Sequence, residues 1–173
     1  MGFSPCMARP SRNSAQERVL NPSRIFFATT NAWEGSCLFQ SERNAMLLID
    51  VLRSCVGERK FKLHDFVVMP NHLHALMTVD SDMTIEKAMQ LIKGRFSFRI
   101  KKEYGYLGEV WQRGFSEDQV LNPASFEAHR RYIAENPVKA GMVSRPEDFP
   151  YCYESLKRRK LETKIGLGEK AKP

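Results

Sequence analysis

At 173 residues and 42% hydrophobic composition, the chain has the length of one domain with terminal extensions and enough apolar side chains for an ordinary core. Its net charge of +7 suits a polyanionic partner, although charge by itself does not separate DNA, RNA and an anionic membrane surface. No apolar run is long enough to span a bilayer, the polar start carries no secretory segment, and Cys6, Cys37, Cys55 and Cys152 form no CxxC pair, so the expectation is a cytoplasmic protein without a membrane partner, zinc knuckle or disulfide framework.

In chain order, residues 1–23 hold prolines, serines and arginines without apolar periodicity and read as a flexible N-terminal arm. Arg24 to Thr30 is a β-rich run without regular alternation, the pattern of an interior strand covered on both faces. From Ser41, the residues Ala45, Leu48, Ile49, Leu52, Cys55 and Val56 recur at helical spacing, and Gly57 supplies a stop. Phe61 to Met69 and His72 to Val79 form two strands of a hairpin turned by Met69-Pro70-Asn71. Thr84 caps a second helix whose apolar stripe is Ile85, Ala88, Met89, Ile92 and Phe96, with Arg95, Arg99 and Lys102 clustered on another side. Val110 to Phe115 opens a fourth strand expected to run to Val120 past a glycine irregularity. A third helix is expected from about Ser125, ending or bending near Asn136 because Pro137 disfavours helical geometry in the residue before it.

The order strand, helix, strand, strand, helix, strand matches an α+β, ferredoxin-like (RRM-like) layout, an antiparallel sheet with helices on one face plus an added C-terminal helix. The domain accordingly spans 24–156, and Lys157-Arg158-Arg159-Lys160 opens a basic flexible tail over 157–173.

His72 and His74 are separated by one residue on a strand, so they project from the same face. Two imidazoles so placed can hold a divalent ion; equally, one can satisfy a local hydrogen bond while the other is a surface side chain. The third helix, if it crosses that face, brings Tyr132 to the pair. A phenol, with an ordinary pKa of about 10, is a poor nucleophile at neutral pH and needs a nearby charge or a polarised substrate. An ion drawing charge from a scissile phosphate meets part of that need and makes a phosphotyrosine chemically accessible without a nucleotide triphosphate. The chain has no GxxxxGK[ST] loop.

Met69-Pro70-Asn71-His72-Leu73-His74, Val110-Trp111-Gln112-Arg113-Gly114-Phe115 and Arg131-Tyr132-Ile133-Ala134-Glu135-Asn136-Pro137-Val138-Lys139-Ala140-Gly141 together resemble the single-tyrosine HUH transposases, with the REP-associated tyrosine transposases as the nearest branch. The likeness runs from about Arg24 to Tyr153. It implies a DNA transposase or endonuclease in which His72 and His74 bind the catalytic metal, Mg²⁺ or Mn²⁺, and Tyr132 attacks single-stranded or hairpin DNA to leave a 5′-phosphotyrosine. It also implies that Asn136, four residues after the tyrosine, completes the metal site. The residues alone leave Asn136 as either a ligand or the cap of a new helical turn at Pro137, and Glu135 as a substitute oxygen donor or a surface charge. His64 and His129 have no partner at ligand spacing and read as structural.

Arg95, Arg99, Lys102, Arg113, Arg130, Arg131 and Lys139 are candidates to follow a DNA backbone, with the assignment reserved for those near the active face. Two other activities fit the same pattern. One is a nucleic-acid-binding module of this fold without chemistry, and the other is a phosphodiesterase in which metal-bound water attacks. Monomer and homodimer both remain open.

Overall fold

A computed structural model describes residues 23–158. The expected N-terminal arm and most of the expected tail lie outside the described residues. Four strands, β1 (Arg24–Asn31), β2 (Lys62–Met69), β3 (His72–Val79) and β4 (Ser116–Val120), form one sheet in the order β2-β3-β1-β4 with every neighbouring pair antiparallel. Helices α1 (Glu42–Gly57) and α2 (Ile85–Tyr104) connect β1 to β2 and β3 to β4. This is the ferredoxin-like α+β arrangement expected from the element order.

Period-two alternation divides the sheet into two apolar faces. Phe26, Ala28, Phe66, Val68, Leu73, Ala75 and Met77 face α1 and α2, where they meet Leu48, Leu52, Ile92 and Phe96 in the main core. Phe27, Val67, Met69 and Leu76 point the other way and pack on Ile133 of α3 (Pro123–Lys139) and on Phe149. β1 is therefore covered on both faces, which explains its unbroken apolar run. Each helix begins at a side-chain cap: Ser41 accepts from Asn44 N, Thr84 from Lys87 N and Asn122 from Ser125 N. Gly105, at φ 64, ends α2 in the left-handed conformation that glycine adopts at low cost.

Two expectations are corrected. The strand expected from Val110 is regular only from Ser116; before it Trp111 makes an isolated bridge with Ala32, and Gly114 takes φ 75, which removes the intervening residues from the ladder. Trp111 instead plugs the main core against Phe39 and Phe96, its indole N–H donates to Lys93 O, and Lys93 Nζ donates to Gln112 O and Gly114 O. Likewise α3 starts at Pro123, before Ser125, and runs through Pro137 to Lys139. A proline in the last turn removes one N–H from the ladder, yet Ala140 N still reaches Asn136 O and Met142 N reaches Pro137 O. Asn136 is therefore an interior residue of a continuous helix, and the cap reading for it fails. Among the described residues no helix is long and apolar enough to cross a membrane.

Candidate active site on the second sheet face

The hairpin turn places His72 at the first position of β3, opposite Met69 and Asn31, and His74 two residues on, opposite Val67 and Thr29. Both side chains project from the face that α3 covers, and their Nε2 atoms are 3.1 Å apart. The outer nitrogens are held from behind. His72 Nδ1 is 2.7 Å from Asn71 Oδ1, and His74 Nδ1 is 2.7 Å from Thr29 Oγ1. In the tautomer that donates its Nδ1–H to Asn71 Oδ1, His72 presents its Nε2 lone pair to the site.

Burial pushes the His74 imidazole down to about 3, helped by the neighbouring His72, and His74 is only 5% exposed. Burial also lowers His72, an effect partly offset by a hydrogen bond that its ring can donate to the Asn136 side chain. Both rings are thus neutral near pH 7, the form that can donate a lone pair to a cation. Because the folded pKa of His74 lies below the ordinary value of about 6.5, only the unfolded chain takes up this proton as pH falls, and stability is lost from about pH 6.5 downward. Each pH unit costs about 1.4 kcal/mol, equivalent to about 4 °C in Tm for a chain of this size. In metal-free protein, thermal melts between pH 6.5 and 4.5 are expected to fall less steeply for His74→Gln than for the native chain by about that amount per unit.

Tyr132 sits on α3 directly above the pair. Its ring centroid is 5.2 Å from that of His74, and it meets Phe27 edge-on at 5.7 Å. Phe27 is a shared platform: it also stacks on His74 at 5.3 Å and on His129 at 4.5 Å. At 43% exposure Tyr132 is open to solvent on its other side, leaving room for a substrate. Asn136, one turn further along α3, shares this face and contacts His72. Two imidazole nitrogens and an amide oxygen form a donor set suited to a divalent cation that accepts mixed nitrogen and oxygen ligands. Glu135 does not join it: its carboxylate pairs with Lys139 at 2.8 Å, and among the described residues no cluster of three His, Cys, Asp or Glu side chains forms.

A family model described as "Transposase IS200 like" matches residues 37–136, a span that takes in His72, His74, Tyr132 and Asn136. The chain belongs to this transposase family. The IS200-like transposase is 30% identical over 135 residues to the REP-associated tyrosine transposase of Escherichia coli K12, covering 74% of this chain and 79% of that one. It superposes with a TM-score of 0.64 on the structure of the REP-associated tyrosine transposase bound to a REP hairpin, at 27% identity and 75% coverage of both chains. A crystal structure from Deinococcus radiodurans shares the fold at 18% identity and a TM-score of 0.51, over 66% of this chain and 90% of that one.

The cations of the transposase fall into separate groups. Arg95, Arg99 and Lys102 lie on α2, across the sheet from the histidines; Arg95 is bound by both oxygens of Glu58 at 2.5 and 2.7 Å, and Arg99 pairs with Glu103 at 2.6 Å. The structure does not bring them to the site. Arg130, Arg131 and Lys139 share α3 with Tyr132. Arg130 is drawn into a net with Asp65, Glu127 and Glu154, Arg131 is exposed, and Lys139 Nζ lies 5.6 Å from the Tyr132 ring centroid. Arg113 is exposed on the loop entering β4, whose first residue, Ser116, pairs with Thr29. His64 bonds Thr78 and packs on Phe126, as a structural histidine does. Sequence reasoning missed Thr29 and Phe27, and read Asn71 only as a turn residue. Strand register brings the first two to His74, and nothing local in Phe27-Ala28-Thr29 announces it.

Proposed function

We propose that this transposase is a divalent-metal-dependent endonuclease and strand transferase that acts on single-stranded or hairpin DNA through Tyr132. The observation that carries the reading is the convergence of His72 Nε2, His74 Nε2 and the Tyr132 ring on one sheet face, with Asn136 one helical turn away. The relative bound to a REP hairpin supports hairpin DNA as the substrate class. Catalysis is assigned to residues 24–156, a span that supplies all four groups.

Mg²⁺ or Mn²⁺ held by His72, His74 and Asn136 would serve as a Lewis acid toward a phosphate oxygen, easing the build-up of negative charge at phosphorus. The protein supplies the rest. Asn71 and Thr29 hold the imidazoles from behind, and Phe27 fixes the planes of His74 and Tyr132. The Tyr132 oxygen, its proton lost to solvent, attacks phosphorus; the new O–P bond forms as the P–O3′ bond breaks, and the departing 3′ oxygen takes up a proton. The 5′-phosphotyrosine retains the energy of the phosphodiester. Attack by another 3′-hydroxyl then reverses the step and joins a new strand. Arg131 and Lys139, on the helix that carries Tyr132, and Arg113, on the loop entering β4, are the cations assigned to the phosphates in this reading.

End-labelled hairpin DNAs incubated with the transposase and Mn²⁺, then run on a denaturing gel, are expected to give a protein-linked band that is lost on adding a chelator. Tight binding with no adduct would leave a binding module, and cleavage without adduct would assign the attack to water.

A further inference from the structure

Gly94 stands midway along α2 and is the sole glycine of that helix. A glycine inside a helix costs stability relative to alanine, and the usual structural reasons for one fail here. Its backbone is helical, so no left-handed conformation calls for it, and it lies far from either cap. A Cβ built at this position meets nothing within 4 Å, so no neighbour in the fold needs the room. What borders Gly94 is open space: a recess of about 370 Å³ between α2 and the loop before β4, whose lining includes Met89, Gln90, Lys93, Ser97 and Phe115. Its two walls are tied together. Lys93 Nζ donates to Gln112 O and Gly114 O at 2.8 and 2.7 Å, and Trp111 Nε1 donates back to Lys93 O at 3.0 Å. That grip leaves Arg113 exposed between the two held carbonyls, and Gly114, at φ 75, turns the chain so that the half-buried Phe115 borders the recess.

We propose that the recess receives one unpaired base of the DNA strand whose phosphate reaches Tyr132, and that Gly94 carries no side chain so that the base can enter. This rests on the endonuclease reading above and adds a feature of its substrate. Size and lining suit a flat heterocycle: Met89 and Phe115 offer apolar surface to its faces, while the Gln90 amide and Ser97 hydroxyl offer donors and acceptors to its edge. A base held in a duplex stack presents no free face, so the recess selects an unpaired one. Phe98, 64% exposed and one turn beyond Gly94, adds an aromatic surface on the same side of the helix. The recess is also within reach of the site. Ser116, which follows Phe115, pairs with Thr29, and Thr29 pairs with His74, so two strand spacings, roughly 10 Å, separate them. Because β4 is the edge strand, a flexible single strand can round it from the histidine face to the α2 face, with Arg113 at the rim to meet a phosphate.

The test uses the full chain as native protein, Gly94→Ala and Gly94→Leu. The probes are hairpin DNAs of mixed sequence with single-stranded extensions on both sides of the stem, intact or with an abasic site at each extension position in turn. Affinity is read by fluorescence anisotropy with chelator present, so that no strand is cut, and each protein is melted. Both variants are expected to fold, because the new side chain enters open space, and Gly94→Ala to melt about 2 °C above the native chain. In the native chain an abasic site at one position is expected to weaken binding by about 10-fold, the loss of one stacked base. Gly94→Leu, its side chain occupying the recess, is expected to bind the intact hairpin about 10-fold more weakly and to be indifferent to the abasic site at that position. Native affinity of Gly94→Leu for the intact hairpin would overturn the proposal. So would equal sensitivity of the native chain and Gly94→Leu at every abasic position, because base and recess would then act independently. Adduct formation by the native chain with Mn²⁺ is scored on the same hairpins: with the adduct present, either of those results strikes the recess alone, and with no adduct on any hairpin the endonuclease reading falls and this inference with it.

Discussion

Tyr132→Phe is expected to abolish the DNA–protein adduct while leaving the fold, the ion site and hairpin binding intact. The substitution removes one oxygen atom from a side chain that is 43% exposed. The ring stays in place through its edge contacts with Phe27 and His74, so the stability cost is within about 0.5 kcal/mol. The proposed nucleophile, by contrast, is gone, and losing a nucleophile costs on the order of 10⁴-fold or more in rate. Adduct formation on a labelled hairpin should fall below detection, with Mn²⁺ affinity, Tm and hairpin affinity each close to native. Unchanged cleavage in this variant would exclude Tyr132 as nucleophile and hand the attack to water.

The Tyr132 prediction draws on sequence signals of unequal reach. Period-two spacing puts His72 and His74 on one face without any structure, and i to i+4 spacing puts Tyr132 and Asn136 on one helix face. Those are local properties of the backbone, and they survive. What failed were inferences at punctuation residues. Pro137 reads as a helix end because the residue before a proline disfavours helical geometry, but α3 is held down by Ile133 and Pro137 itself, both buried, and packing outweighs one lost ladder bond. Gly114 reads as an irregularity inside a strand, whereas Trp111 burying its indole in the main core draws residues 110–115 off the sheet. Phe27 and Thr29 could not be found at all without the register of β1 against β3, which is set by a pairing 45 residues apart. The separation of Arg95, Arg99 and Lys102 from the site is of the same kind. Their helix face is legible, but which side of the sheet the helix covers depends on the fold as a whole.

His72→Ala is the complementary loss. In the proposed ion site its ring is one of two nitrogen donors, and the remaining His74 with Asn136 is too few a set to hold a labile divalent ion, so Mn²⁺ affinity should drop by more than about 100-fold. Adduct formation should fall by about 10³-fold or more, because the phosphate loses its Lewis acid while a phenol remains a weak nucleophile. Chelator should depress the native chain to the same level and leave His72→Ala unchanged, as expected for two treatments that remove one component. The two variants thus fail for different reasons: Tyr132→Phe keeps the ion and lacks the nucleophile, and His72→Ala keeps the nucleophile and lacks the ion. Mixing them therefore reports which chain supplies the tyrosine. The Tyr132 ring lies 5.2 Å from His74 of its own chain, an arrangement in which one copy supplies both halves of the proposed site. Each defective site in the mixture then remains defective, and no adduct should return. Restoration of the adduct on mixing would require α3 to leave its own sheet and deliver Tyr132 to the histidines of a second copy, against the burial of Ile133 and Pro137 that holds it in place.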